Sequence, residues 1–176
     1  SCHMGNGSSI CAIDGGKCVD TSMGFTPLVG LPMGTRCGDL DSGVIQFIMN
    51  KYGISIDEML NILNKKSGME GISGVSSDFR DLEEGAEKGN ERCALAREKF
   101  AYEVKKLIGA YAAVMGGVDA IIFTAGVGEN DALERMQIAS GLEYMGVKMD
   151  EDANNVRGEE RVISATDSKV KVLLIP

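Results

Sequence analysis

The chain has 176 residues, a formal net charge of −8 and 44% hydrophobic residues, which is enough apolar material for the core of one domain. A nucleic-acid surface needs a basic patch, and the short pairs Lys65–Lys66 and Lys105–Lys106 do not form one. No apolar run reaches the ~20 residues of a membrane helix, and no signal peptide is visible. We therefore predict a cytoplasmic protein that binds neither nucleic acid nor membrane.

The five cysteines are an odd number, and no two of them have C-x-x-C spacing. With a single His in the chain, this pattern argues against a zinc site. Reduced thiols are the expectation for a cytosolic protein. A disulfide between Cys11 and Cys18, which flank a hairpin turn, is the alternative.

The amino-terminal segment is predicted to form a short strand end at Ser1–His3 followed by a β-hairpin. Ser8–Ile13 and Lys17–Thr21 are the strands of this hairpin, and Asp14-Gly15-Gly16 is a strong turn signal between them. Residues 22–43 are rich in Gly, Pro, Thr and Asp and have no steady period. We expect a long ordered loop here, and such loops are often functional.

Four helices are predicted next. Ser42 is expected to cap a helix through about Tyr52, and Ser55 a helix through about Lys65. Residues 67–77 are predicted as a loop, after which Ser77 or Asp78 caps a short helix that ends near Gly85. The last helix runs over Glu91–Met115, since apolar residues recur there at i, i+3, i+4 and i+7 spacing until Gly116-Gly117 ends it.

The remaining elements complete a mixed α/β domain. A buried strand at 119–124 leads into a glycine loop at 126–130, and a helix is predicted from about Asp131 to Leu142. Arg161–Ala165 and Lys169–Ile175 are predicted as two final strands.

The glycine loop Gly126-Val127-Gly128-Glu129-Asn130 is the first candidate ligand site. A strand followed by a glycine loop and a helix lets backbone N–H groups approach a phosphate or a nucleotide closely. The loop has neither the G-x-G-x-x-G pattern nor the Lys-Ser/Thr of a P-loop. A tight structural turn between strand and helix therefore remains an alternative.

A second glycine loop, His3-Met4-Gly5-Asn6-Gly7, precedes the hairpin. Gly5 and Gly7 permit unusual backbone angles, Asn6 offers polar contacts, and His3 could donate to a phosphoryl oxygen. An ordinary β-turn with an unremarkable His is the competing interpretation.

Two arginines on polar segments are the other candidates. Arg36 lies between small residues on the long loop, which suits bidentate contact with a phosphate, although a salt bridge to Asp39 or Asp41 is equally compatible. Arg80 follows Asp78 and Phe79 at the start of the short helix. Asp78 either caps that helix or reads the edges of a base or ribose while Arg80 stacks on the base.

Taken together, these segments resemble the acetate kinase (acetokinase) family, and the match extends over essentially the whole chain. Met4 stands where Leu is usual in the family. The matching stretches are His3–Gly7, Asp20–Leu28, Gly30–Arg36, Gly71–Arg80 and Phe123–Asn130.

The resemblance implies a ribonuclease-H-like α/β domain of the actin-like ATPase superfamily. It further implies the reaction of ATP and acetate to ADP and acetyl phosphate with Mg²⁺. By the family pattern, His3–Gly7 bind phosphate, Asp78–Arg80 hold the adenosine, and Gly126–Asn130 line the nucleotide pocket. Arg36 stabilises charge on the transferring phosphoryl group, as phosphoryl transfer requires.

The resemblance also implies that residues 1–176 form a single domain, the carboxy-terminal nucleotide-binding half of a two-domain kinase that acts as a homodimer. The family's catalytic Asp, its acetate-contacting Arg and a phosphoryl-stabilising His would lie in an amino-terminal half outside this chain, and its Mg²⁺-contacting Glu just beyond Pro176. We therefore expect a fragment that is cut at both ends and inactive alone. A propionate or butyrate kinase and a non-catalytic nucleotide-binding module are the alternatives.

Overall fold

The computed structural model describes all residues from Ser1 to Pro176, and the chain folds as two compact units. Unit 1 comprises Ser1–Ser22 and Ala101–Pro176, and unit 2 comprises Met23–Phe100. The helices are α1 (Ser42–Tyr52), α2 (Ile56–Lys65), α3 (Gly68–Ser73), α4 (Phe79–Glu87), α5 (Glu91–Met115), α6 (Ala125–Asn130), α7 (Ala132–Ala139) and α8 (Glu151–Asn154). None of them is long and apolar enough to span a bilayer.

Unit 1 is built on a mixed six-stranded sheet, as predicted for the α/β class. Its strands are β1 (Cys2–Met4), β2 (Ser8–Asp14), β3 (Lys17–Thr21), β4 (Ala120–Thr124), β5 (Arg161–Val162) and β6 (Lys171–Leu174), in the order β3-β2-β1-β4-β6-β5. The central pairs β1–β4 and β4–β6 are parallel, and the outer pairs are antiparallel. A short 3₁₀ helix at Glu143–Met145 follows α7.

The observed hairpin of β2 and β3 confirms the predicted one. Gly15 and Gly16 form its two-residue turn with φ values of 55° and 79°. Two consecutive positive φ angles define a type I′ turn, whose twist matches that of the flanking strands and for which Gly is suited. The sequence Asp14-Gly15-Gly16 was therefore sufficient to place this turn.

One face of the sheet is buried and carries the core of unit 1. Along β1, Cys2 and Met4 are buried whereas His3 between them is exposed. The other strands and helices add further buried residues: Ile10, Ala12, Ala101, Val104, Ile108, Ile121, Phe123, Ile138, Val172 and Leu174. Since side chains alternate across a strand, His3 is placed on the more open face.

The capping predictions for unit 2 are confirmed with one change of residue. Ser55 caps α2 in a capping box, since its hydroxyl accepts from the Glu58 amide and the Glu58 carboxylate accepts from the Ser55 amide. Helix α1 has the predicted bounds, but Asp41 is its N-cap rather than Ser42. Asp78 is the N-cap of α4, so of the two predicted caps it is the correct one.

Two segments predicted as loops are helical. Residues 67–77 contain α3, and residues 126–130 belong to α6. Both helices are only six residues long and rich in Gly, so no apolar period could reveal them. The helix predicted from Asp131 to Leu142 is α7, which ends at Ala139. Helix α5 has the predicted bounds, Glu91 and Met115.

Candidate functional site

The parallel pairing of β1 with β4 brings the two glycine segments of unit 1 together. His3 pairs with Thr124, so the turn at 5–7 and helix α6 both begin at the carboxyl ends of adjacent strands. A Cβ atom added to Gly5 would lie 3.7 Å from the Cβ of Ala125. The carboxyl edge of parallel strands is where open α/β sheets bind ligands. The structure therefore joins His3–Gly7 and Gly126–Asn130 in one place.

The turn after β1 is held closed by a buried serine. The Ser8 hydroxyl donates to the Gly5 carbonyl at 2.9 Å and accepts from the Gly5 amide at 3.2 Å. Ser8 and Met4 are fully buried, whereas His3 and Asn6 are exposed. The turn thus presents one imidazole and one amide to solvent on a fixed backbone.

The step from β4 into α6 is unusually sharp. Thr124 is extended, and Ala125 follows with φ of 65°, the only positive φ among the non-glycine residues. This left-handed conformation costs an L-residue roughly 1–2 kcal/mol. Gly126 has open space where a Cβ would lie, but a Cβ on Gly128 would contact the backbone of Phe123 at 3.4 Å. The two glycines therefore differ: Gly126 borders open space, whereas a Cβ at Gly128 would be in ordinary van der Waals contact with the end of β4.

Arg135, which is not among the predicted site residues, holds helix α6 in place from the buried interior of unit 1. Its side chain is fully buried, and Nη1 donates to the Gly128 carbonyl at 2.8 Å. Nε donates to Asn154 Oδ1 at 2.9 Å, while Nη2 donates to the carbonyls of Asn154 at 2.6 Å and Val156 at 2.9 Å. The guanidinium thus ties the glycine segment to residues 154–156.

Three backbone carbonyl oxygens and the side-chain amide oxygen of Asn154 accept hydrogen bonds from the Arg135 guanidinium. Burial lowers the pKa of Arg135, and the nearby Asp131 opposes that shift. Arg135 could have been found from sequence, because Ile138 and Ala139 lie three and four residues later and are buried as well. An arginine at that spacing falls on the packed side of a helix.

In unit 2, Arg36 lies on a loop that is anchored through its backbone. Its half-buried side chain donates from Nη1 to the Pro27 carbonyl at 3.2 Å. The alternative of a salt bridge is not seen: Asp39 accepts from the Gly30 amide and Asp41 caps α1. The guanidinium therefore has no carboxylate partner, and apart from this bond and a contact of Nη1 with Met33 Sδ at 3.5 Å its donors are available to another partner.

Gly68 determines how closely α3 approaches the Arg36 loop. Its φ is 59°, and an added Cβ would lie 2.0 Å from the Met33 carbonyl oxygen and 2.6 Å from that of Arg36. The Met69 amide donates to the Met33 carbonyl at 2.8 Å across this contact. Only a residue without a side chain permits it.

Asp78 and Arg80 form an exposed fork at the start of α4, still in unit 2. Arg80 donates from Nε to Asp78 Oδ1 at 3.0 Å and from Nη2 to Oδ2 at 2.6 Å, and its backbone amide donates to Oδ1 at 2.9 Å. These bonds, led by the side chain of Arg80, lower the pKa of Asp78 to about 2. The Arg80 side chain is 88% exposed, so a flat guanidinium face is presented to solvent. Phe79 is buried against Phe100 with ring centroids 4.8 Å apart, which makes it a packing residue.

The chain contains no cluster of three or more His, Cys, Asp or Glu side chains placed to hold a metal ion.

Comparison with known proteins gives a consistent result. The model of the acetokinase family matches residues 1–176. The acetate kinase of Dictyoglomus turgidum is 61% identical over 176 residues, which is all of this chain and 44% of the relative. This chain thus spans less than half the length of the curated relatives it matches.

Solved structures give the same picture. The acetate kinase of Porphyromonas gingivalis matches with a TM-score of 0.97 and 49% identity over 99% of this chain and 44% of that one. A propionate kinase from Francisella tularensis subsp. tularensis matches with a TM-score of 0.92 and 40% identity over the same shares of the two chains. The predicted ribonuclease-H-like, actin-like ATPase fold is confirmed by these structural neighbours.

Replacement of Arg135 by Met should destabilise the protein strongly. The change leaves three backbone carbonyls and Asn154 without their donor, which we expect to cost ~3–5 kcal/mol of unfolding free energy. Denaturant unfolding of the full-length protein measures this. Arg80→Met, at an exposed arginine, is the control and should cost less than ~1 kcal/mol. Equal losses of unfolding free energy in the two variants would contradict the stabilising role of the buried Arg135 side chain.

Gly68→Ala should cost more stability than Gly53→Ala. Both glycines have φ above 50°, but a Cβ at Gly53 meets nothing within 4 Å. Gly53→Ala should therefore cost only the ~1–2 kcal/mol of the backbone conformation, and Gly68→Ala should add a steric cost of ~2 kcal/mol or more. Thermal unfolding compares them, and a smaller loss for Gly68→Ala would show that the close approach is unimportant.

NMR titration of the Asp78 carboxyl should give a pKa of about 2 in the wild type, and a higher one in Arg80→Met. The remaining backbone bond should keep it below the ordinary Asp value of ~3.9. Because the folded-state pKa is lowered, the stabilisation is present above pH ~3.9 and is lost as the pH falls towards 2. An unchanged pKa of Asp78 in Arg80→Met would mean that the hydrogen bonds from the Arg80 side chain do not lower it.

Proposed function

The chain belongs to the acetokinase family, and we propose that it is the carboxy-terminal, nucleotide-binding half of an acetate kinase. The observation that carries this proposal is identity of 56–61% to acetate kinases over the whole of this chain. The relatives are about twice as long, so the proposed enzyme requires residues outside positions 1–176. Its substrates would be ATP and acetate, and its products ADP and acetyl phosphate.

In unit 1 we assign His3–Gly7 to the phosphates and Gly126–Asn130 to the nucleotide pocket. The support is their common position at the carboxyl edge of β1 and β4. Ser8 and Arg135 are buried and hold the two segments in place through hydrogen bonds to backbone carbonyls. A preorganised backbone costs little reorganisation when the ligand binds.

Arg36 is assigned to phosphoryl charge. Its guanidinium is half buried and has no carboxylate partner, so its positive charge is not neutralised within unit 2. Phosphoryl transfer spreads negative charge over the equatorial oxygens of the transferred group. An arginine fork held by a rigid loop stabilises such charge in the transition state.

Asp78, Phe79 and Arg80 are assigned to the adenosine. The Asp78 carboxylate fixes the orientation of the Arg80 guanidinium, and the exposed face of that guanidinium can stack on a purine ring. Phe79 contributes by packing α4 against Phe100 rather than by touching the ligand. The fork thus has both a structural role as an N-cap and a recognition role.

We further propose that the full-length protein uses Mg²⁺ held by ligands outside this chain, that it is cytoplasmic, and that it forms a homodimer. The basis is the family relationship. The missing amino-terminal half would then supply the remaining catalytic groups and the acetate pocket.

A propionate kinase is the second candidate, because one such structure matches this chain with a TM-score of 0.92. The curated acetate kinases are 56–61% identical to this chain, above the 40% of the propionate kinase structure, which favours acetate. One methylene in an acyl pocket is worth only ~1–3 kcal/mol, so the choice depends on residues outside this chain.

The protein expressed from its complete reading frame should release ADP from ATP only when a short carboxylic acid is present. A coupled assay with acetate, propionate and butyrate measures this, and the highest kcat/KM is expected for acetate. ATP binding without any acid-dependent turnover would instead identify a non-catalytic nucleotide-binding module.

Arg36→Ala should lower kcat by ~10²–10³-fold with little change in KM for ATP, since its interaction would develop in the transition state. Arg80→Ala should raise KM for ATP and leave kcat nearly unchanged. Arg161→Ala, at an exposed arginine of β5, is the control for both. A rise in KM alone for Arg36→Ala would refute its assignment.

A further inference from the structure

Two thiols lie side by side on the edge hairpin of unit 1. The Sγ atoms of Cys11 on β2 and Cys18 on β3 are 3.0 Å apart, and both cysteines are free. Cys11 is partly exposed and Cys18 is exposed. A disulfide needs the two sulfurs to come within ~2 Å, so these sulfurs have to approach each other by roughly 1 Å to form one.

An irregularity in the strand pairing places the two thiols on one face. Cys11 pairs with Thr21 and Ala12 with Asp20, but the register then shifts so that Ile13 pairs with Cys18. Cys11 and Ile13 are two residues apart and share a face. In an unshifted ladder Val19 would oppose Ile13, and Cys18 would project from the other side. The bulge therefore creates the thiol pair.

We propose that Cys11 and Cys18 form a reversible modification site, at which a low-molecular-weight disulfide converts the pair into an intrachain disulfide. The site lies apart from the residues assigned to the nucleotide, and it does not depend on the proposed kinase function.

The chemistry is a thiol–disulfide exchange in two steps. The exposed thiolate of Cys18 attacks one sulfur of the small disulfide, which forms a mixed disulfide and releases one thiolate. The thiolate of Cys11 then attacks Sγ of Cys18 and releases the second small thiol. The pair gives up two electrons and two protons, and the small disulfide is reduced to two thiols.

The other three cysteines are placed differently. Cys2 and Cys93 are buried, and burial raises the pKa of Cys2 to about 11. Cys37 is partly buried, its thiol donates to the Gly38 carbonyl at 3.0 Å, and burial raises its pKa. Cys18 is the more exposed of the two thiols, and the hydrogen bond that the Cys11 thiol donates to Cys18 Sγ raises the pKa of Cys11, so Cys18 is assigned the first attack.

The disulfide would act on an edge of the sheet. All five residues of β3 are exposed, and β3 pairs on one side only, with β2. Such a strand frays easily. A covalent link from β3 to β2 would suppress this local opening, and β2 begins at Ser8, the residue that closes the turn at Gly5.

The full-length protein is treated with oxidised glutathione or with dithiothreitol, its remaining thiols are alkylated, and its peptides are mapped by mass spectrometry. We expect a peptide in which Cys11 is linked to Cys18, without bound glutathione, that dithiothreitol reverses. Amide exchange over residues 10–21 should be slower by a factor of ~10 in the oxidised protein.

Three single variants test the assignment. Cys11→Ser should trap glutathione on Cys18, because the resolving thiol is gone. Cys18→Ser should leave Cys11 much less modified, and Cys37→Ser should oxidise as the wild type does. A glutathione adduct that persists on the wild-type pair, a disulfide between two chains through Cys18, or no oxidation under excess glutathione disulfide would each overturn the proposal.

Discussion

The candidate site in unit 1 depends on one strand pairing. Strands β1 and β4 are parallel neighbours, with Cys2 paired to Phe123 and His3 to Thr124. The two glycine segments therefore begin at the same edge of the sheet, although more than a hundred residues separate them in the chain. An antiparallel pairing would send them to opposite edges. Everything proposed for phosphate and nucleotide in this unit assumes that juxtaposition.

Rigidity at that edge comes from two buried polar side chains. Ser8 closes the turn after β1, and Arg135 fixes α6 through the Gly128 carbonyl. Both bind backbone atoms, so the exposed groups of the site do not have to hold the loop shapes themselves. The Arg36 loop of unit 2 is held by backbone contacts instead: Gly68 lets α3 approach the loop closely enough for backbone hydrogen bonds. In each unit a charged or polar group is presented to solvent on a backbone that other residues keep in place.

Local signals in the sequence predicted most of the elements. The turn at Gly15-Gly16, the Ser55 cap and the period of α5 each depend on residues close in sequence, and each is confirmed. Helices α3 and α6 are too short and too glycine-rich to show a period, and only contacts made in the folded chain reveal them. Arg135 was missed because charged residues are usually exposed, and only its spacing to Ile138 and Ala139 marked it. The hairpin positions of Cys11 and Cys18 are enough to suggest a disulfide between them, but no sequence signal marks the bulge that aligns the two thiols.

Above all, we propose that the carboxyl edge of β1 and β4 receives an adenine nucleotide. Hydrogen exchange of the full-length protein with and without ADP tests it most directly, because the readout is local and needs no turnover. We expect slower exchange at residues 4–8 and 125–131, and little change at β3 and β5, which lie at the two ends of the sheet. ADP binding that leaves residues 4–8 and 125–131 unprotected would contradict it.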